Sequence, residues 1–218
     1  HYSQLVLPPL FYLMHKDLGI SFAALGLTIT LINASGAIAQ LPIGFLVDRF
    51  GAKLILIMGL LIKTLSIGAM ALTSSYEIIL LLAVLAGLGH SVFHPADYSI
   101  LMSSIDEKRM GKAFSIHTAS GTAGTATAPI IIVLIADFWD WKVAVLSVAL
   151  LGAITGISMM LQSNLIQDHI GSKKEQGSEE DHFQILEGMR LLLTPRMVIL
   201  YLFFLTTAMI SIGLNAFT

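Results

Sequence analysis

The sequence predicts an all-α protein that crosses a membrane several times, and three observations lead there. Of its 218 residues, 56% are hydrophobic and only 12% charged, about half the charged share of an ordinary soluble domain. The mean hydropathy is +0.83. The few charges fall in clusters, and the stretches between them are long enough to span lipid. Twelve basic against fourteen acidic residues leave a net charge of −2, which removes any case for a nucleic-acid face. The absence of cysteine excludes a disulfide framework, a thiolate metal site and a cysteine nucleophile. No cofactor, metal or catalytic residue is predicted.

A helix needs about 20 apolar residues to cross a hydrocarbon core of roughly 30 Å. The uncharged windows place helices at about 1–14, 20–46, 54–72, 78–104, 113–136 and 143–162, with a further one at 195–218. The first is short and lacks an initiator methionine, so it reads as a helix entered partway. It has neither the basic leader nor the small-residue cleavage site of a signal peptide. Residues 163–194 read as a solvated linker followed by an amphipathic helix, with Phe183, Leu186, Met189 and Leu193 on one stripe. Six helices, a long linker and a new helix suggest a protein of two membrane halves, with the second half largely missing here.

Basic residues orient the bundle. Arg49, Lys53, Lys108, Arg109, Lys112, Lys173, Lys174, Arg190 and Arg196 fall on one side, against Lys16 and Lys142 on the other. The loops at 48–53, 105–112 and 163–196 are therefore expected in the cytoplasm. Phe138, Trp139 and Trp141 then lie in an outer loop, where an aromatic belt belongs.

The loop after the second helix reads Gly44-Phe45-Leu46-Val47-Asp48-Arg49-Phe50-Gly51-Ala52-Lys53. Gly44 suits a close helix approach and Gly51 a reversal at positive φ. Asp48 suits a breakable contact with a helix N-terminus or an arginine. The run resembles the G-x-x-x-D-R-x-G-x-K loop of the major facilitator superfamily, at that family's position between its second and third helices. The resemblance implies the six-helix N-terminal half of a twelve-helix transporter plus a seventh helix. It also implies that Gly44, Asp48, Arg49, Gly51 and Lys53 form a conformational latch between the halves.

The fourth segment holds Gly87-Leu88-Gly89-His90-Ser91-Val92-Phe93-His94-Pro95-Ala96-Asp97. His90, His94 and Asp97 stand at i, i+4 and i+7 and so share one face of a continuous helix. Polar groups at this depth normally face a cavity or a partner. Pro95 lacks a backbone donor and crowds the carbonyl of Ser91, so a kink is expected there. Histidines titrate near neutral pH, which suits proton coupling; neutral histidines bonded to neighbouring helices are the structural alternative. In the resembled family the first and fourth helices line the central cavity. Phe93-His94-Pro95 with a glycine-rich fifth helix resembles the fosmidomycin-resistance-type branch. Ala83 stands where many proton-coupled members carry arginine, so coupling here would rest on His90, His94 or Asp97.

The fifth segment carries Gly121, Gly124 and Pro129 among small residues at spacing four, a pattern for close helix packing. It is similar to the family's antiporter motif, with Ala128 in place of the last glycine. His117 lies about one turn inside the membrane from Lys112, at the interface or in the cavity. Asn33, Ser35 and Gln40 offer cavity groups or interhelical hydrogen bonds. Lys63, ten residues beyond Lys53 and about 15 Å deep by helical rise, reads as paired with another helix rather than with a substrate.

Together these readings predict secondary transport of a small organic or drug-like solute, with the bilayer, protons and the missing half as partners. No G-x-x-x-x-G-K-[ST] loop is present in the chain to couple ATP. The contrasting reading is an intramembrane metalloenzyme built on His90, His94 and Asp97, for which H-x-x-x-H spacing is suitable.

Overall fold

The computed structural model describes residues 2–162, 194–203 and 206–207. The predicted linker and its amphipathic stripe lie outside these residues. The chain divides into two units, His1–Ile170 and Gly171–Thr218. In the second, residues 195–203 are helical, as expected for the start of a seventh span.

The first unit is all-helical over its described residues. Two 3₁₀ turns, Tyr2–Leu5 and Pro8–Leu10, lead into α1 (Phe11–Leu18). The segment expected as one helix over 1–14 is therefore broken at its start. The tandem prolines explain this, since neither can donate a backbone hydrogen bond and each sets φ near −65°. Gly19, at φ 68°, ends α1. Then come α2 (Phe22–Phe50), α3 (Ala52–Met70), α4 (Tyr76–His90), α5 (Phe93–Ser104), α6 (Met110–Phe138) and α7 (Trp141–Leu161). Side-chain oxygens of Ser21, Ser75 and Asp140 cap α2, α4 and α7, satisfying donors that lipid would leave orphaned. Among the described residues, five spans are long and apolar enough to cross a membrane, with α4 and α5 together forming one of them.

α4 packs closely on both α2 and α3. A Cβ on Gly87 would strike the Ile32 carbonyl and Ser35 of α2. One on Gly89 would come 2.7 Å from the Gly59 carbonyl and 2.5 Å from the Lys63 nitrogen of α3. Two glycines on different faces of one helix thus allow backbone contact on both sides, which lipid rewards because it offers no hydrophobic drive of its own. Gly44 differs from its sequence reading: a Cβ there meets nothing within 4 Å, so it permits no close approach within this unit. Gly51, at φ 92°, does make the expected reversal into α3.

Two apolar cores result. One gathers Leu10, Met14, Leu25, Met70, Ile79, Ala83, Trp141 and Val145; the other gathers Val47, Ala52, Leu56, Val92 and Ala96. Along α3 and α4, Lys63 and His90 fall between them.

A polar tie joins α1 to α7. Trp141 Nε1 donates to Asp17 Oδ2 at 3.0 Å, and Lys142 Nζ pairs with the same oxygen at 3.0 Å. Trp141 is consequently only 4% exposed, inside the first core, and does not serve the aromatic belt. Phe138 and Trp139, at 76% and 70% exposed, have the exposure such a belt needs. The hydrogen bond from Lys142, then that from Trp141, holds the Asp17 carboxyl below the usual carboxylate range.

This packing makes two changes informative. Gly87→Ala should lower the thermal midpoint of the purified protein, at about 1–3 kcal/mol of overpacking, whereas Gly44→Ala should be close to neutral; equal midpoints would contradict the α2–α4 contact. For Asp17, a depressed folded pKa means stability present above the ordinary carboxylate value and lost as pH falls through the folded one. Asp17→Asn should therefore unfold at lower temperature than the parent at pH 7, and the gap should close on acidification to about pH 3 and below. A gap independent of pH would show that the charge does not carry the tie.

Candidate functional site

The polar residues of the fourth segment lie on either side of a short turn. α4 ends at His90, Ser91 and Val92 form a turn, and α5 begins at Phe93. Pro95 has no N–H for the Ser91 carbonyl, and the Ser91 hydroxyl donates to the Leu88 carbonyl at 2.6 Å. The expected kink is thus a two-residue turn whose backbone stays in the right-handed helical region, with Ser91 at φ −60°, ψ −20° and Val92 at φ −76°, ψ −25°, and α4 and α5 still make up one membrane span.

His90 turns to α3. Its Nδ1 lies 3.2 Å from Lys63 Nζ, so the lysine is paired with another helix, as its depth implies. Lys63 is only 2% exposed, and its Nζ also lies 5.2 Å from the Phe93 ring centre. A charged side chain at mid-span costs on the order of 3 kcal/mol on insertion scales, and these two contacts offset part of that cost.

Asp97 turns to α6. Its Oδ2 lies 3.8 Å from His117 Nε2, with both side chains partly buried. This places His117 with the polar cluster rather than at the interface alone. Tyr98 assembles the rest. Its ring is 5.8 Å from that of His94, 5.3 Å from Phe114 and 6.5 Å from His117. Tyr98 and Phe114 are absent from the sequence-based candidates; an aromatic next to Asp97, one turn beyond His94, was the available signal. From Phe114 an open groove of about 760 Å³ runs along α6, lined by Ser115, Thr118, Thr122 and Ala126. The hydroxyls of Ser115 and Thr122 are tied to their own helix at 2.9 and 3.0 Å.

Other candidates lie apart. Asn33 is exposed on α2, with no side-chain hydrogen bond among the described residues. Ser35 makes an interhelical bond, donating to the Val84 carbonyl at 3.2 Å. Gly121 and Ala128 are buried on the face of α6 that carries Ile132 and Ala136; α6 packs on the turns Tyr2–Leu5 and Pro8–Leu10 and on α7. Gly124 is half-buried, and Pro129 sits within the helix. Asp48 is exposed at the end of α2, without an ion pair among the described residues, and the Arg49 guanidinium lies 5.5 Å over the Phe50 ring.

The metalloenzyme reading gains no support from this geometry: among the described residues no three His, Cys, Asp or Glu side chains are placed to hold a metal, and His90 and Asp97 face different neighbours, Lys63 and His117.

Comparison with known proteins agrees. The chain is 30% identical over 132 residues to an uncharacterized MFS-type transporter, YfnC, of Bacillus subtilis, covering 61% of this chain and 32% of the relative. It is 24% identical over 158 residues to a probable L-galactonate transporter of Escherichia coli (72% and 34% covered). It is 27% identical over 149 residues to the fosmidomycin resistance protein of the same organism (68% and 36% covered). The chain spans about a third of the length of these relatives. The family profile described as Major Facilitator Superfamily matches residues 2–218. With several helices long and apolar enough to span a membrane, the Asp48-Arg49 motif at the junction of α2 and α3 and a profile match over nearly its whole length, the chain belongs to the Major Facilitator Superfamily, a family of integral membrane transporters rather than enzymes.

Proposed function

We propose that the chain supplies the N-terminal half of a secondary transporter (1–162), the linker (163–194) and the first helix of the other half (195–218). It moves a small organic solute by alternating access, with the site between the two halves. The observation that carries this reading is the cluster of His94, Asp97, Tyr98 and His117 across α5 and α6. Titratable and aromatic groups that meet inside a bilayer mark a pathway more often than a packing contact. The relatives include proteins named for a sugar acid and for drug resistance, which supports a polar organic cargo and export among the directions to test. Antiport against protons fits an Asp–His pair able to exchange a proton when the cavity opens. The basic residues favour a plasma-membrane orientation with loops 48–53, 105–112 and 163–196 in the cytoplasm.

A transport screen of the intact protein over sugar acids and antibiotics, across pH, tests the reading. With the substrate so found, His94→Ala should weaken binding by about five- to a hundredfold, the value of one hydrogen bond in a site with little water. If His94 also carries the proton, the pH response near neutrality disappears with it. Unchanged affinity and pH response in folded protein would remove His94 from the site. Asp48→Asn should leave the protein folded and inserted but slow transport, because the latch loses a charge that contacts one state of the cycle. Turnover equal to that of the parent would refute the latch.

A further inference from the structure

Lys63 is the most enclosed charged side chain among the described residues, at 2% exposed. It lies at the seam where one apolar core gives way to the other. Its partners are His90 Nδ1 at 3.2 Å and the face of Phe93 at 5.2 Å. The carboxylates that form ion pairs, Asp17 and Asp97, are engaged elsewhere, with Lys142 and His117. The juxtaposition is built in. Only glycine at position 89 lets α4 pass the Lys63 backbone, where a Cβ would stand 2.5 Å from its nitrogen.

An ammonium has three donors and no acceptor. Contact with Nδ1 therefore requires a lone pair on that nitrogen, and a neutral imidazole with a lone pair on Nδ1 carries its proton on Nε2. The aromatic face beside Nζ favours the ammonium over the neutral amine. We propose that Lys63 is a positioning residue: it holds His90 as the single tautomer protonated on Nε2. The half-buried ring is thereby fixed as an acceptor at Nδ1 and a donor at Nε2.

The test is ¹⁵N NMR of the intact protein labelled at histidine, with His90 assigned by loss of its signals in His90→Gln. The wild type should show Nδ1 unprotonated and Nε2 protonated, in about tenfold excess or more over the other tautomer, the ratio one charge-assisted hydrogen bond sustains. Lys63→Met should bring the two tautomers to within about threefold of each other, and Lys63→Arg, also a donor without an acceptor, should restore the excess. His94 and His117 should keep their wild-type signals throughout. A mixed or Nδ1-protonated His90 in the wild type would overturn the proposal, and needs no variant to fold. So would an unchanged His90 in Lys63→Met, or all three histidines shifting together, which would indicate a purely structural lysine. Because the readout uses no substrate, a failed transport assay leaves this result standing, and a failed tautomer assignment leaves the transport reading intact.

Discussion

Backbone contact on two faces of α4 is the constraint on which the rest of the first unit depends. In lipid, helices gain nothing by hiding leucines from a solvent that is itself apolar; they associate where their backbones can approach. Gly87 admits α2 and Gly89 admits α3. The glycines are two residues apart, about 200° around the helix, so α4 is held from nearly opposite sides. The grip fixes the depth of α3 against α4, and that depth alone brings Lys63 level with His90. The turn at Ser91–Val92 comes directly after this grip, and α5 beyond it packs mainly on α3.

Much of this was legible in the sequence because charge is expensive in a bilayer. Clustered charges between uncharged runs marked the spans to within a few residues, and Pro95 marked the interruption of the fourth. The motif from Gly44 to Lys53 pointed to the family, and Gly51 behaves as its spacing required. Lys63 was read as a helix partner from its depth, and it is one. Each of these inferences used a local rule or a length.

What sequence could not supply depended on contacts distant along the chain. Trp141 resembled an interfacial aromatic, but Asp17, 124 residues away, accepts its indole N–H and draws it into the core. Gly44 belonged to a packing motif and meets no neighbour in this unit. Pro95 was recognised as a kink, but which neighbour each polar group meets, Lys63 for His90 and His117 for Asp97, depends on α3 and α6, and no spacing within one segment supplies that.

One membrane span therefore carries two chemically distinct polar contacts, one on each side of the turn. Before it, His90 faces a buried cation in a tight, glycine-lined contact, an arrangement that resists change because both backbones are already touching. After it, Asp97 faces His117 across 3.8 Å, longer than a hydrogen bond, with both side chains partly open. The two contacts differ in how firmly the helices around them are held: the first sits where glycine lets two backbones touch, the second bridges α5 and α6, which pack on each other only lightly. A change in the α5–α6 spacing would therefore alter the Asp97–His117 separation well before it disturbed Lys63 and His90.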